Sequence, residues 1–87
     1  MIIGYKKDFN KKTKRLPVFI REPLADRLRL FASAPHHPLL NNHALTGKWR
    51  GYRSINITGD WRAIYQPVGT DTALFVDVDT HHNLYGT

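Results

Sequence analysis

From Tyr52 to Asp79 the side chains alternate in character with a period of two, and turn formers interrupt the run twice. That pattern belongs to strands, whose successive side chains point to opposite faces. Thr58-Gly59-Asp60 separates the first segment from the second, and residues 67–71, rich in turn formers, separate the second from the third. Strands are therefore expected over about 52–57, 61–66 and 73–79. Neighbours joined by such short connections pair antiparallel, so the second half of the chain must form a meander.

The first half has a different period. Residues 6–15 are dense in charge and suit a helix, with Tyr5 and Phe9 four apart on one side. Leu16, Phe19, Ile20, Leu24, Leu28 and Phe31 then recur at steps of three and four, which makes one amphipathic stripe. Pro23 removes a backbone donor within it. Because the stripe keeps its phase across Pro23, a kink is expected rather than a break. The helix should end before Pro35, since a residue preceding proline avoids helical geometry. Ile2 and Ile3 suit a short edge strand, and PHHPLLNNHALTG, residues 35–47, reads as a loop. Helices followed by a meander predict an α+β fold, with N-terminal helices packed on an antiparallel β-meander sheet. The length of 87 residues suits a single domain over 1–87.

Composition narrows the function. The chain has no cysteine, which excludes disulfides and thiolate chemistry. It has no apolar run long enough to cross a bilayer. The opening MIIGYKKDFNKK places its charges after a very short apolar stretch, the wrong order for an export signal, so a cytoplasmic protein is expected. The net charge of +6 and pI near 10.0 favour a polyanionic partner, nucleic acid first. Lys6, Lys7, Lys11, Lys12, Lys14 and Arg15 crowd the first helix, and Lys48, Arg50 and Arg53 form a second basic group. Asp60, Asp71, Asp77 and Asp79 make the last third acidic.

Alternation sorts the meander into two faces. Ile55, Ile57, Trp61, Ala63, Tyr65, Leu74, Val76 and Val78 are expected toward the helices. Ser54, Asn56, Arg62, Ile64, Phe75, Asp77 and Asp79 are expected on the open face, with His81 continuing that phase and Asp60 at the rim. A meander normally solvates one face. A guanidinium, several carboxylates and an imidazole gathered there exceed what solvation requires. His36 and His37, in a proline-flanked loop without Cys or Glu partners, read as solvated, and no metal site is expected.

HALTGKWRGYRSINITGDWRAIY followed by THHNLYG resembles the RelE/YafQ superfamily of bacterial toxins from type II toxin–antitoxin pairs. The resemblance spans essentially the whole chain, and residues 43–86 carry its specific part: His-x-Leu-x-Gly, Gly-Tyr-Arg, Asp-Trp and His-x-x-Leu-Tyr. It implies a RelE-like fold and a ribosome-dependent mRNA endoribonuclease, restrained by a cognate antitoxin. In such chemistry the messenger's 2′-OH attacks the adjacent phosphate and no metal or other cofactor is needed. His43, Asp60, Arg62, His81 and Tyr85 match positions of catalytic groups in that superfamily. His43 and His81 would exchange protons, Arg62 would hold the phosphate, Asp60 would orient a histidine, and Tyr85 would stack on a base or assist proton transfer. Lys48, Arg50, Arg53 and Trp61 are candidate RNA contacts, and the basic first helix a candidate contact to ribosomal RNA. Asn56 stands where the YafQ branch has a further histidine, and Asp77 where it has an arginine. These two departures motivate a second reading: a non-catalytic module on the same fold that binds the ribosome or the antitoxin.

Overall fold

The structure, a computed structural model, describes residues 1–86. Strand β1 spans Ile2–Tyr5, helix α1 Lys7–Lys14 and helix α2 Val18–Ser33. Strand β2 is His43–Ala44, followed by β3 at Arg53–Thr58, β4 at Trp61–Val68 and β5 at Thr72–Thr80, and a last helix, α3, covers His81–Tyr85. The five strands form one sheet in the order β1-β5-β4-β3-β2.

The α+β expectation holds, and so does the meander of β3, β4 and β5. The sheet as a whole is mixed rather than antiparallel, because β1 pairs parallel to β5, Ile3 opposite Ala73 and Tyr5 opposite Phe75. The expected loop over 35–47 contains a 3-10 turn at Pro38–Leu40 and the strand β2, with a second 3-10 turn at Gly47–Trp49 just after. Strand β2 pairs antiparallel with β3, placing His43 opposite Ser54. Two residues carry too little periodicity to announce a strand, and β2 exists because β3 offers it an edge.

Pro17 ends the first helical segment and starts the second, which runs through Pro23 in one span. Ile20, Leu24 and Phe31 of α2 are buried, with Leu28 packed partly against them. Phe19 is the exception to the predicted stripe. It lies in the first turn of α2 and is 73% exposed. The core fills the space between the helices and one sheet face, centred on rings: Phe31 meets Phe75 at 5.3 Å and Tyr65 at 4.9 Å, and Phe9 meets Phe75 at 5.8 Å.

Phe75 therefore points toward the helices, opposite to its expected side, while Leu74 and Val76 are only half-buried. A bulge explains the reversal. Ile64 faces Asp77, but the next residue of β4, Tyr65, faces Phe75, which leaves Val76 as an extra residue. In an unbroken strand Phe75 and Asp77 would share a face, and burying the ring would bury the carboxylate. The bulge shifts the phase, so Ala73 and Phe75 point inward before it and Val78 after it, and Asp77 and Asp79 stay outside the core.

Candidate active site

The register brings the polar residues of four strands into rows across the face away from the core. His43, Ser54, Ile64 and Asp77 form one row, and Asn56, Arg62 and Asp79 the next. The face is not open, however. Ser54 and Ile64 are both fully buried although they point away from the helices. Ile64 and Leu84 are buried outside the main apolar cluster. What covers this face is α3, a helix that periodicity alone does not announce, because the alternation of the third strand extends in phase to His81.

Local chemistry turns the chain at that point. The Thr80 hydroxyl accepts the Asn83 amide at 3.2 Å, which caps α3, and Gly86 closes it with φ 74°, a value glycine adopts freely. The helix is then tied down at both ends. The His81 amide donates to the Asp60 carbonyl at 2.7 Å, and Trp49 Nε1 donates to the Leu84 carbonyl at 3.0 Å. A five-residue helix has no stability of its own, so these ties and the burial of Leu84 hold it in place.

Between α3 and the Gly47–Trp49 turn lies a cleft of about 460 Å³, lined by His43, Leu45, Lys48, Trp49, His81 and Tyr85 among others. Four of the predicted site residues, His43, Lys48, His81 and Tyr85, thus meet in one place. His43 and His81 are exposed to solvent within it. His43 Nδ1 sits 2.8 Å from the Asn41 carbonyl oxygen. A carbonyl can only accept, so the neutral ring carries its proton on Nδ1 and a lone pair on Nε2. Asn41 presents that carbonyl from a left-handed conformation, φ 44°, which asparagine tolerates better than most residues. The His81 ring packs edge-on against Tyr85, centroids 4.6 Å apart. The Tyr85 hydroxyl, by contrast, is buried and without a hydrogen-bond partner among the described residues, as are Ser54 Oγ and Asn56 Oδ1 on the same face.

The other predicted residues lie around or away from this cleft. Arg62 shares the face, but its Nη1 folds back onto the turn, donating to the Gly59 carbonyl at 2.8 Å and the Trp61 carbonyl at 3.0 Å. The Asp60 carboxylate makes no hydrogen bond or ion pair with a histidine among the described residues; it is the Asp60 main chain that meets His81. Arg50 is exposed beside the cleft. Trp61 is half-buried against the main core. Arg53 points to the opposite, helix-packed face, where its Nε donates to Asn42 Oδ1 at 2.9 Å and the Asn42 amide in turn reaches the Tyr65 hydroxyl at 2.8 Å. It braces the fold on the far side of the sheet from His43. One step of strand phase separates it from Ser54, and sequence proximity to Lys48 conceals that.

Residues 1–86 match the family described as "Bacterial toxin of type II toxin-antitoxin system, YafQ". The chain belongs to that family. Among solved structures it is similar to YafQ from E. coli strain BL21(DE3), with a TM-score of 0.74 and 26% identity over 97% of each chain. It is also similar to the toxin of the E. coli DinJ–YafQ toxin–antitoxin complex, TM-score 0.70 and 24% identity, covering 97% of this chain and 96% of that one. The RelE fold is likewise shared with the RelB–RelE antitoxin–toxin complex of Methanococcus jannaschii, TM-score 0.73 at 23% identity over 95% of each chain. No match was found among curated proteins.

Within this YafQ-family fold, one departure from the pattern, Asp77, acquires a partner together with its neighbour Asp79. Asp77 and Asp79 converge on a cation from α1. Lys12 Nζ lies 2.9 Å from Asp77 Oδ1 and 2.7 Å from Asp79 Oδ2. Burial pushes the Asp79 carboxyl up, but hydrogen bonds from Lys12, Asn83 and the Thr80 amide outweigh it and hold the group below its ordinary value. Burial likewise pulls Lys12 down, and its hydrogen bonds to Asp79 and Asp77 outweigh that and raise it. Nothing local in the sequence distinguishes Lys12 from the other cations of the first helix, since its partners lie at sequence separations above 60. Trp49, which lines the cleft, is a second residue of this region absent from the expected set. The signal for it is an indole between two cations inside the family motif, with no apolar period to claim it.

Proposed function

We propose that this YafQ-family toxin is a ribosome-dependent mRNA endoribonuclease. The observation that carries the reading is His43, its Nδ1 proton committed to the Asn41 carbonyl and its Nε2 lone pair free, in one cleft with His81 and Lys48. Nε2 would take the proton from the messenger's 2′-OH as that oxygen attacks the adjacent phosphorus. His81 would protonate the departing 5′ oxygen. Lys48, joined by the uncommitted edge of Arg62, would carry the charge that accumulates on the phosphate oxygens. The products would be a 2′,3′-cyclic phosphate and a 5′-OH, and the balance of protons and charge requires no metal.

The Tyr85 ring supports His81 from one side, and its buried hydroxyl argues for packing rather than proton transfer. The site acts on messenger held by the ribosome, with ribosomal RNA as the second surface for the basic first helix, and the toxin works in the cytoplasm. A cognate antitoxin is the expected protein partner, as DinJ and RelB are for the relatives crystallised with them.

The test is a His43→Ala, His81→Ala double variant, compared with wild type on a translated messenger by mapping new RNA 5′ ends. Loss of the new ends with the fold retained supports these roles for the two histidines. Full cleavage by the double variant refutes them. Asn56 in place of a histidine and the acidic pair at Asp77 and Asp79 favour the non-catalytic reading, which predicts translation arrest by wild type without new ends.

A further inference from the structure

We propose that Lys12 is a positioning residue for His81, acting from α1 through Asp79 and the first turn of α3; the proposal rests on the reading of the cleft as a nuclease site. Three observations join end to end. Lys12 Nζ bridges Asp77 Oδ1 and Asp79 Oδ2 at 2.9 and 2.7 Å. Asp79 Oδ1 accepts both the Thr80 amide at 2.7 Å and Asn83 Nδ2 at 2.9 Å. Thr80 caps the helix on which His81 is the first residue. One carboxylate therefore links a side chain of α1 to both the cap and the first turn of α3. Lys12 itself starts from a fixed base, because Phe9 anchors α1 by stacking with Tyr5 at 5.6 Å and packing on Phe75.

The chain of contacts also explains why Asp79 does not disturb the site. Asp79 lies directly across from Arg62 in the β4–β5 register. An unpaired carboxylate at that position would attract the guanidinium and pull away from Asn83. With Lys12 present, Asp79 is oriented toward α3, and Arg62 rests on the carbonyls of its own turn. Asp77, the second departure from the family pattern, completes the seat for the ammonium. The two aspartates and Lys12 thus form one device, assembled from residues more than sixty positions apart.

The test uses the full-length toxin with Lys12→Met and Lys12→Arg, read by NMR and by turnover. In Lys12→Met the amides of His81 and Asn83 should exchange about two- to fivefold faster, the scale of one partly exposed ion pair lost. The His81–Tyr85 ring contact should weaken, and kcat should fall with KM unchanged. Lys12→Arg, which can still reach both carboxylates, should restore all three. Asp79→Asn keeps an oxygen for Thr80 and Asn83 but loses the ion pair, and should loosen α3 even if Lys12→Met fails to fold. Unchanged α3 exchange in Lys12→Met and Asp79→Asn would overturn the proposal, as would failure of Lys12→Arg to rescue. Should wild type cut no RNA, the nuclease reading falls, while the NMR comparison still decides whether Lys12 positions His81.

Discussion

Leu84→Ala is the substitution that most directly separates the cleft from the fold beneath it. Leu84 is 3% exposed and stands outside the main apolar cluster, on the face covered by α3. Truncating a buried leucine costs about 2–5 kcal/mol, and the thin cover on this face places the cost near 2 kcal/mol. Five residues cannot sustain a helix without that burial. The loss should therefore appear as local opening of α3 rather than as unfolding of the sheet. About 2 kcal/mol corresponds to roughly a 30-fold shift in the opening equilibrium. Two amides report it: His81, bonded to the Asp60 carbonyl, and Gly86, bonded to the His82 carbonyl, each at 2.7 Å. Both should exchange roughly 30-fold faster by native-state hydrogen exchange. Amides of β4 and β5 should keep their protection, and RNA cleavage should collapse in a protein that remains folded. Equal acceleration in β4 and β5 would refute the reasoning, because α3 would then be part of the global folding unit. Unchanged exchange at His81 and Gly86 would refute it as well.

Further outcomes follow from other contacts. Tyr85→Phe removes a buried hydroxyl without a partner, so stability to urea should rise by about 1 kcal/mol and cleavage should persist; loss of cleavage in a stable variant would make the hydroxyl catalytic. Arg53→Ala should destabilise the domain by about 1–3 kcal/mol through the lost charge-assisted hydrogen bonds to Asn42, with cleavage retained at permissive temperature; a cleavage defect without a stability defect would return Arg53 to the RNA surface. For the acidic pair, sign matters. Asp79 is depressed in the folded state, so its contribution is present above the ordinary value of 3.8 and drains away as pH falls below it. Lys12 is raised, so its contribution is complete below 10.5 and is lost only as pH climbs past that value. Asp79→Asn should accordingly be less stable than wild type at neutral pH by about 0.5–1 kcal/mol, a figure discounted for solvent screening at a lysine that is 39% exposed. The gap should close in acid, and a gap that persists at the lowest pH tolerated by the fold would show that charge is not its origin.

Much of this architecture is legible in the sequence because long periodic segments declare themselves. The stripe from Leu16 to Phe31 names the helix that covers the sheet, and the alternation after Tyr52 names the three central strands. Strand phase fails at Phe75, where Val76 enters as a bulge residue, and no alternation rule can anticipate an inserted step. The parallel pairing of β1 and the existence of β2 depend on edges that only the assembled sheet provides. For the site, residue types at motif spacing identify His43, Lys48, His81 and Tyr85, which do converge. The same reasoning misplaces Arg53 by one strand face and gives Asp60 a side-chain role that its backbone performs. Lys12 and Trp49 escape it because their partners, Asp77, Asp79 and the Leu84 carbonyl, are distant in sequence and are reached only through the fold.

The central claim, that the cleft is a nuclease site working through 2′-OH attack, is tested most directly by the chemistry of the RNA ends. Purified toxin would be added to a messenger with and without translating ribosomes, and the ends characterised for cyclic phosphate and for 5′-OH. The account predicts new ends only with ribosomes, bearing a 2′,3′-cyclic phosphate upstream and a 5′-OH downstream. Translation arrest with no new ends, or ends bearing a 5′-phosphate, would contradict it.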